Sequence, residues 1–215
     1  MSQDPQPLLT RMMSAAATVP GGTDTRILDA ALAEFTEFGL RRVTMEDVAR
    51  RAGVHRVTIY RRFDGKHALV QAVILRELHA FLTSIGEVMH AVRGGLADQV
   101  VEGFVFTLRS IRTHPLLVRL LSTEPENLLP FLTVQGGPFL TMASQYLAAR
   151  LRATPDAPDW LAEQADEVAE TQIRLMLTFV FVPAGVIPLT DEADMRAYAR
   201  RHLAPMVTGH PHVTE

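Results

Sequence analysis

Hydrophobic residues recur at helical spacing along this chain from Thr23 onward. Leu28, Ala31, Leu32 and Phe35 fall at i, i+3, i+4 and i+7, one face of a helix. Gly39 follows the last periodic turn, where a left-handed residue closes helices. Met45, Val48, Ala49 and Ala52 repeat the spacing, with Thr44 and Asp47 placed as a capping box. This second helix is predicted to stop at Gly53. A very short third helix, about His55 to Arg61, contains the β-branched run Val57-Thr58-Ile59, which loses rotamer freedom in a helix. It would not be helical alone; Val54, Ile59 and Phe63 are the anchors available to hold it. A longer helix is predicted from about Lys66 to Val92.

The remainder lacks strand alternation. Helices are predicted at roughly 96–113, 115–122, 137–153, 158–182 and 191–204, punctuated by Gly94-Gly95, Pro115, Pro125, Gly136-Gly137, Pro155, Pro158, Pro183 and Pro188. The fold class is therefore all-α. Residues 1–22, with prolines, Gly21-Gly22 and an alanine run, read as a flexible arm, and 208–215 as a flexible tail. The most apolar run, Leu175 to Leu189, is interrupted by Thr178, Pro183, Gly185 and Pro188. It is shorter than the roughly 20 residues of a membrane-spanning helix. It reads as a buried helix entering a loop. With no targeting segment evident in the first 22 residues, a soluble cytoplasmic protein without a membrane role is expected.

Composition narrows the function classes. The 215 residues are 47% hydrophobic and 21% charged, enough for a substantial core. Cysteine is absent, which excludes disulfide scaffolds, thiolate zinc sites and cysteine catalysis. A net charge of −3 excludes a uniformly basic coat for nucleic acid. The charge is uneven, however. Between Arg41 and Lys66 eight basic residues face three acids, giving +5 there and −8 over the other 189 residues.

Two short helices joined by a glycine-containing turn, the second too β-branched to stand alone, describe a helix-turn-helix. Ala49 is small where the helices cross, and Gly53 can take positive φ in the turn. A cationic patch coinciding with this unit on an acidic body is the electrostatic footprint of a duplex-binding module. The plainer alternative is a solvated arginine-rich surface.

Residues 24–74 carry an ILDAAL…F…G first helix, then T…D-V-A…A-G-V, T-I-Y-x-x-F and G-K-x-A-L. This stretch resembles the DNA-binding domain of TetR-type transcriptional regulators. The resemblance covers about a quarter of the chain, and its combination of motifs is specific. It implies a helix-turn-helix domain over 23–68 and a helical effector-binding and dimerisation domain over 69–207. Thr44, Tyr60 and Lys66 stand at positions that would contact DNA phosphates, Thr44 where the helix dipole also favours an anion. Base reading is expected from Arg56, Val57 and Thr58, with Arg61 and Arg62 near the duplex. Arg56 could fork onto a guanine edge, worth about 1–3 kcal/mol of discrimination, and Val57 could meet a thymine methyl. Plainer roles remain open: capping for Thr44, a half-buried ring for Tyr60, an exposed tether for Lys66 and indifferent surface for Val57. Two departures from the family pattern stand out. His55 replaces a frequent serine or threonine and caps a helix less well, so it either relies on packing or meets a phosphate itself. Val57 replaces a frequent small residue.

The resemblance further implies a homodimer on a palindromic operator of double-stranded DNA. The last two strong helices would form the interface, with Trp160, Ala165, Val168, Ala169, Gln172, Leu175, Met195, Tyr198, Ala199 and His202 as candidates. Trp160 could instead cap the core. Phe81, Leu82, Phe104, Val105, Leu108, Leu117, Leu121, Phe139, Met142, Tyr146, Met176 and Phe179 would line a cavity for an apolar or amphipathic effector, or simply fill a core. Arg109, Arg112, His114 and Gln172 are the polar groups that could orient such a ligand. A regulator without a small-molecule ligand, constitutive or controlled by a partner protein, is the alternative.

An enzyme is the rival from another class. Serine nucleophile elbows, phosphate-cradling glycine loops and HExxH are absent from the sequence. His79 and His90 lie eleven apart without a carboxylate-rich ligand set, and His210 and His212 sit in a Gly/Pro context near the end. No catalysis, cofactor or metal is expected.

Overall fold

The computed structural model describes residues 22–126, 129, 133, 134, 136–155 and 157–209. Among these the regular structure is entirely helical, in agreement with the all-α expectation. In chain order the helices are α1 Gly22–Phe38, α2 Met45–Ala52, α3 Arg56–Arg62, α4 Gly65–Ala91, α5 Leu96–Thr113, α6 Pro115–Thr123, α7 Gly137–Arg152, α8 Asp159–Phe181, α9 Glu192–His202 and α10 Pro205–Thr208. The predicted arm and tail lie largely outside the described residues, as do His210 and His212.

The chain divides into two compact units. Among the described residues, the first contains 22–83, 114–126 and 129. Its core is built from Ile27, Leu28, Ala31 and Phe35 of α1, Val48, Ala49 and Ala52 of α2, Ile59 of α3, Leu69 and Val73 of α4, and Leu116 and Leu120 of α6. The buried stripe of α1 is turned slightly from the predicted one. Ile27, Ala30 and Glu34 are buried, while Leu32 stays half-exposed beside an open surface groove with Asp29, Ala33, Thr36, Glu37 and Pro115. The division also differs from the predicted boundary at residue 68. Leu69, Val73, Leu116 and Leu120 bury their side chains in the core of the helix-turn-helix, which needs more apolar surface than α1–α3 supply.

Among the described residues, the second unit contains 84–113, 133, 134, 136–155 and 157–209. Its core takes Val101, Phe104 and Leu108 from α5, Ala148 and Leu151 from α7, and Leu161, Ala165, Ala169 and Met176 from α8. Met195 and Ala199 of α9 and Val207 of α10 complete it. α8 packs on α7, and α9 on α5. Alanines at 148, 165 and 169, all fully buried, allow helix backbones to approach closely. Ion pairs seam α9 to α5: Arg196 with Glu102 at 2.8 Å, Arg109 with Glu192 at 2.7 Å and Arg200 with Asp98 at 2.8 Å.

The apolar run from Leu175 splits into helix and loop as expected, but within Leu175–Phe181 only Met176 is buried, because one face of α8 alone meets the core. α8 ends at Phe181, and Val182 to Pro188 form an exposed loop before buried Leu189. By length and composition α4 is long and apolar enough to cross a membrane. Its Leu69, Val73 and Met89 are buried inside the protein, whereas only 11% of its most apolar stretch is.

Candidate nucleic-acid interface

The helix-turn-helix begins with a reciprocal cap. The Asp47 backbone N–H donates to Thr44 Oγ1 at 3.2 Å, and the Thr44 backbone N–H donates to Asp47 Oδ2 at 3.0 Å. The Thr44 hydroxyl also donates to Asp47 Oδ2 at 2.6 Å. This hydroxyl bond first, then the Thr44 backbone N–H and Arg50, holds the Asp47 carboxyl down at about 2. α2 ends at Gly53, with φ of +63°, where the Gly53 N–H donates to Arg50 O and the Val54 N–H to Ala49 O. Arg26 of α1 closes the same turn, donating from Nη2 to Ala52 O at 2.6 Å. That contact satisfies a helix-end carbonyl that would otherwise lack a partner.

α3 is held by packing. His55 at its N-cap makes no side-chain cap bond, as its imidazole led us to expect. Ile59 is fully buried, and Val54 and Phe63 pack partly buried on the same core. With Ile59 inward, Arg56, Val57, Tyr60 and Arg61 all stand exposed. Val57 is 76% exposed despite its branched apolar side chain. His55 and Arg62 are exposed, and Thr58 is half-buried.

Neighbours organise the cationic face. Arg56 Nε lies 2.8 Å from Glu46 Oε1, and its guanidinium carbon sits 5.4 Å from the Tyr60 ring centroid. The Tyr60 hydroxyl donates to the same Glu46 oxygen at 3.5 Å. Arg62 pairs with Asp24 at 3.2 Å, and Lys66 Nζ donates to Arg41 O at 3.3 Å. Arg42 and Arg61 stand exposed. Arg51 serves the fold, reaching Glu34 at 3.1 Å and Glu37 at 2.8 Å on α1. Periodicity counted Arg51 and Glu46 only as charges. Arg26 and Glu34, and the pairing of Glu46 with Arg56 and Tyr60, escaped notice because the partners lie outside the reach of local spacing.

The regulatory candidates scatter. Phe81 and Leu121 fall in the first unit, Phe104, Leu108, Arg109, Phe139, Met142, Tyr146, Gln172 and Met176 in the second. Phe104 and Leu108 are buried core residues, Phe104 meeting Phe179 edge-on at 6.1 Å. The polar groups expected to orient a ligand are committed to protein partners. Arg109 holds Glu192, Arg112 donates to Leu189 O, and Gln172 Nε2 donates to Leu203 O. His114 caps α6 by accepting from the Leu117 N–H. On the proposed dimer face, Gln172, Met195, Ala165, Ala169 and Ala199 are buried in their own unit, because α8 and α9 use those positions to pack on α7 and α5. Trp160, Val168, Leu175 and Tyr198 remain half-buried and His202 exposed, its ring 4.8 Å from that of Tyr198.

A clamped recognition helix with an outward basic face on an all-α body defines a helix-turn-helix transcriptional regulator that binds DNA. Family models agree. One, described as bacterial regulatory proteins of the tetR family, matches residues 27–73. Another, described as the bacterial Tetracyclin repressor C-terminal domain, matches residues 96–205. The second alone spans more than half of the chain, and the protein belongs to the TetR family. The HTH-type transcriptional regulator AlkX of Mycobacterium tuberculosis is 28% identical over 172 residues, covering 78% of this chain and 77% of the relative. The TetR family repressor AlkX from a Dietzia strain, implicated in biodegradation of n-alkanes, is a structural neighbour at 26% identity and a TM-score of 0.60. The match covers 85% of this chain and 93% of that one. Salmonella enterica GusR shares the fold at 20% identity and a TM-score of 0.60, over 89% and 98% of the two chains. Family and relatives are transcriptional regulators, and this protein is not an enzyme.

Proposed function

We propose that the protein is a homodimeric cytoplasmic repressor that binds a palindromic operator through α3 and leaves it when an apolar or amphipathic effector binds the second unit. The observation that carries DNA reading is the outward display of Arg56, Val57, Tyr60 and Arg61 around a fully buried Ile59. Arg56 and Val57 read base edges, with Thr58 beside them. Thr44, Tyr60 and Lys66 hold phosphates, helped by His55, Arg61 and Arg62. In the free protein the Thr44 hydroxyl points to Asp47, so contact with a phosphate requires it to turn.

A seven-residue recognition helix spans few base pairs, and two-fold pairing supplies the missing affinity. The exposed portions of Trp160, Val168, Leu175, Tyr198 and His202 form the dimer face. Phe139, Met142 and Tyr146 fall at i, i+3 and i+7 on α7, half-buried, a stripe suited to an alkyl chain. A relative implicated in n-alkane biodegradation supports an apolar effector. The effector must bind the released conformation more tightly than the DNA-bound one, since equal affinity would shift nothing.

The filled packing of Phe104 and Leu108 favours a second reading, a regulator without a small-molecule effector. Selection of bound sequences from random duplex DNA tests the first part, with an inverted repeat as the expected product; a non-repeated site would refute the dimeric reading. Titration of the protein–operator complex with n-alkanes and fatty acids tests the second. Release by one chain-length window supports the effector, and indifference to all of them favours the second reading.

A further inference from the structure

We infer that Glu46 of α2 is a positioning residue for base recognition, holding Arg56 off the DNA backbone and presenting it to a guanine edge. This rests on the proposed role of Arg56 as a base reader. Arg56 is long, and its side chain is 69% exposed. Left free, a guanidinium beside a duplex goes to the nearest phosphates, which carry no sequence information directly. Here it is held on two sides. Glu46 Oε1 takes the Nε edge at 2.8 Å, and the Tyr60 ring lies 5.4 Å beneath the guanidinium carbon.

That choice of edge matters chemically. With Nε engaged, the two terminal nitrogens remain as a pair of donors. Guanine offers two acceptors, O6 and N7, in the major groove, whereas adenine offers one acceptor and one donor. A fixed two-donor fork therefore fits guanine and meets a like donor on adenine. Arg56 lies in the first turn of α3, the part of a recognition helix that reaches base edges.

Glu46 also shapes the background. The Tyr60 hydroxyl has one proton and gives it to Glu46 at 3.5 Å in the free protein. When Tyr60 turns that proton to a phosphate, Glu46 is left to Arg56 alone. Its negative charge, 43% exposed on the cationic face, repels phosphates of any sequence. Glu46 thus lowers non-specific affinity while raising discrimination at one base.

The test is competitive binding of the full-length protein, at one salt concentration, to the selected operator and to duplexes substituted at each position. Arg56→Ala identifies the position that Arg56 reads. Glu46→Ala is expected to lower discrimination there by about tenfold, within the range of one bidentate contact, while binding random duplex more tightly. Glu46→Gln keeps an acceptor for Nε but loses the charge. It should bind random duplex more tightly than wild type, though less tightly than Glu46→Ala, while retaining most of the discrimination, a split that a merely structural role would not produce. If Arg56→Ala erases a preference that Glu46→Ala leaves intact, Glu46 does not position it. If Arg56→Ala alters no preference, the base-reading role of Arg56 fails first, and the role of Glu46 falls with it.

Discussion

Gly39 answers two demands at once. Its φ is +85°, and a Cβ there would collide with Glu124 Oε1. Glu124 is buried and accepts the Arg41 backbone N–H at 3.2 and 3.4 Å, tying the turn after α1 to the end of α6. Gly39→Ala must meet the left-handed penalty of about 1–2 kcal/mol and displace that carboxylate as well. Urea unfolding should show a loss of about 2 kcal/mol or more; a variant as stable as wild type would show that the turn relaxes freely. Asp47 has a pH signature. Its folded value near 2 lies below the ordinary 3.8, so its cap stabilises the fold fully above about pH 4 and weakens as pH falls toward 2. Asp47→Asn should flatten that part of an acid-unfolding profile and leave neutral-pH binding order among operators unchanged. At the phosphate contacts, Tyr60→Phe and Lys66→Ala should weaken all duplexes about equally. Lys66→Ala should also reduce the slope of log affinity against log salt by about one.

At the scale of elements, α3 shows how a segment of poor intrinsic propensity becomes a precise reading head. Its β-branched residues oppose helix formation, and its N-cap lacks a side-chain acceptor. Burial of Ile59 outweighs both. Truncation to alanine should cost about 2–5 kcal/mol, whereas Ile59→Val should cost about 0.5–1.5 kcal/mol. Operator binding should fall with Ile59→Ala at temperatures where circular dichroism still reports most of the helix content. Retained binding by that variant would mean that α3 is held elsewhere. The capping box at Thr44 and the stop at Gly53 were legible because their partners lie within three or four residues. The Arg26 contact to Ala52 was not, since 26 residues separate its ends. Glu34 and Arg51 escaped for the same reason, 17 residues apart on different helices.

At the scale of the molecule, the proposed dimer carries two copies of the +5 segment between Arg41 and Lys66, each of which a polyanion attracts. Val168→Glu should lower the mass measured by sedimentation to that of one chain. It should weaken binding to the inverted repeat far more than to a single half-site. A dimer of unchanged mass would move the interface away from α8. The second unit shows where periodicity runs out. Spacing marked α8 and α9 as apolar helices, yet could not say which apolar positions serve the chain itself. Met195 and Ala199 turned inward against α5, while Trp160 and Tyr198 kept exposed edges.

Helix positions, caps, the glycine turn and the charged segment are encoded within a few residues, because helical hydrogen bonds and capping contacts close locally. The sequence by itself therefore determined an all-α chain with a helix-turn-helix near its start. Tertiary packing alone decided that Glu46 meets Arg56 and Tyr60, that Glu124 reaches Arg41 across 83 residues, and that the core of the head recruits α4 and α6. Such contacts depend on how separate helices come together, and spacing along one chain carries no record of that.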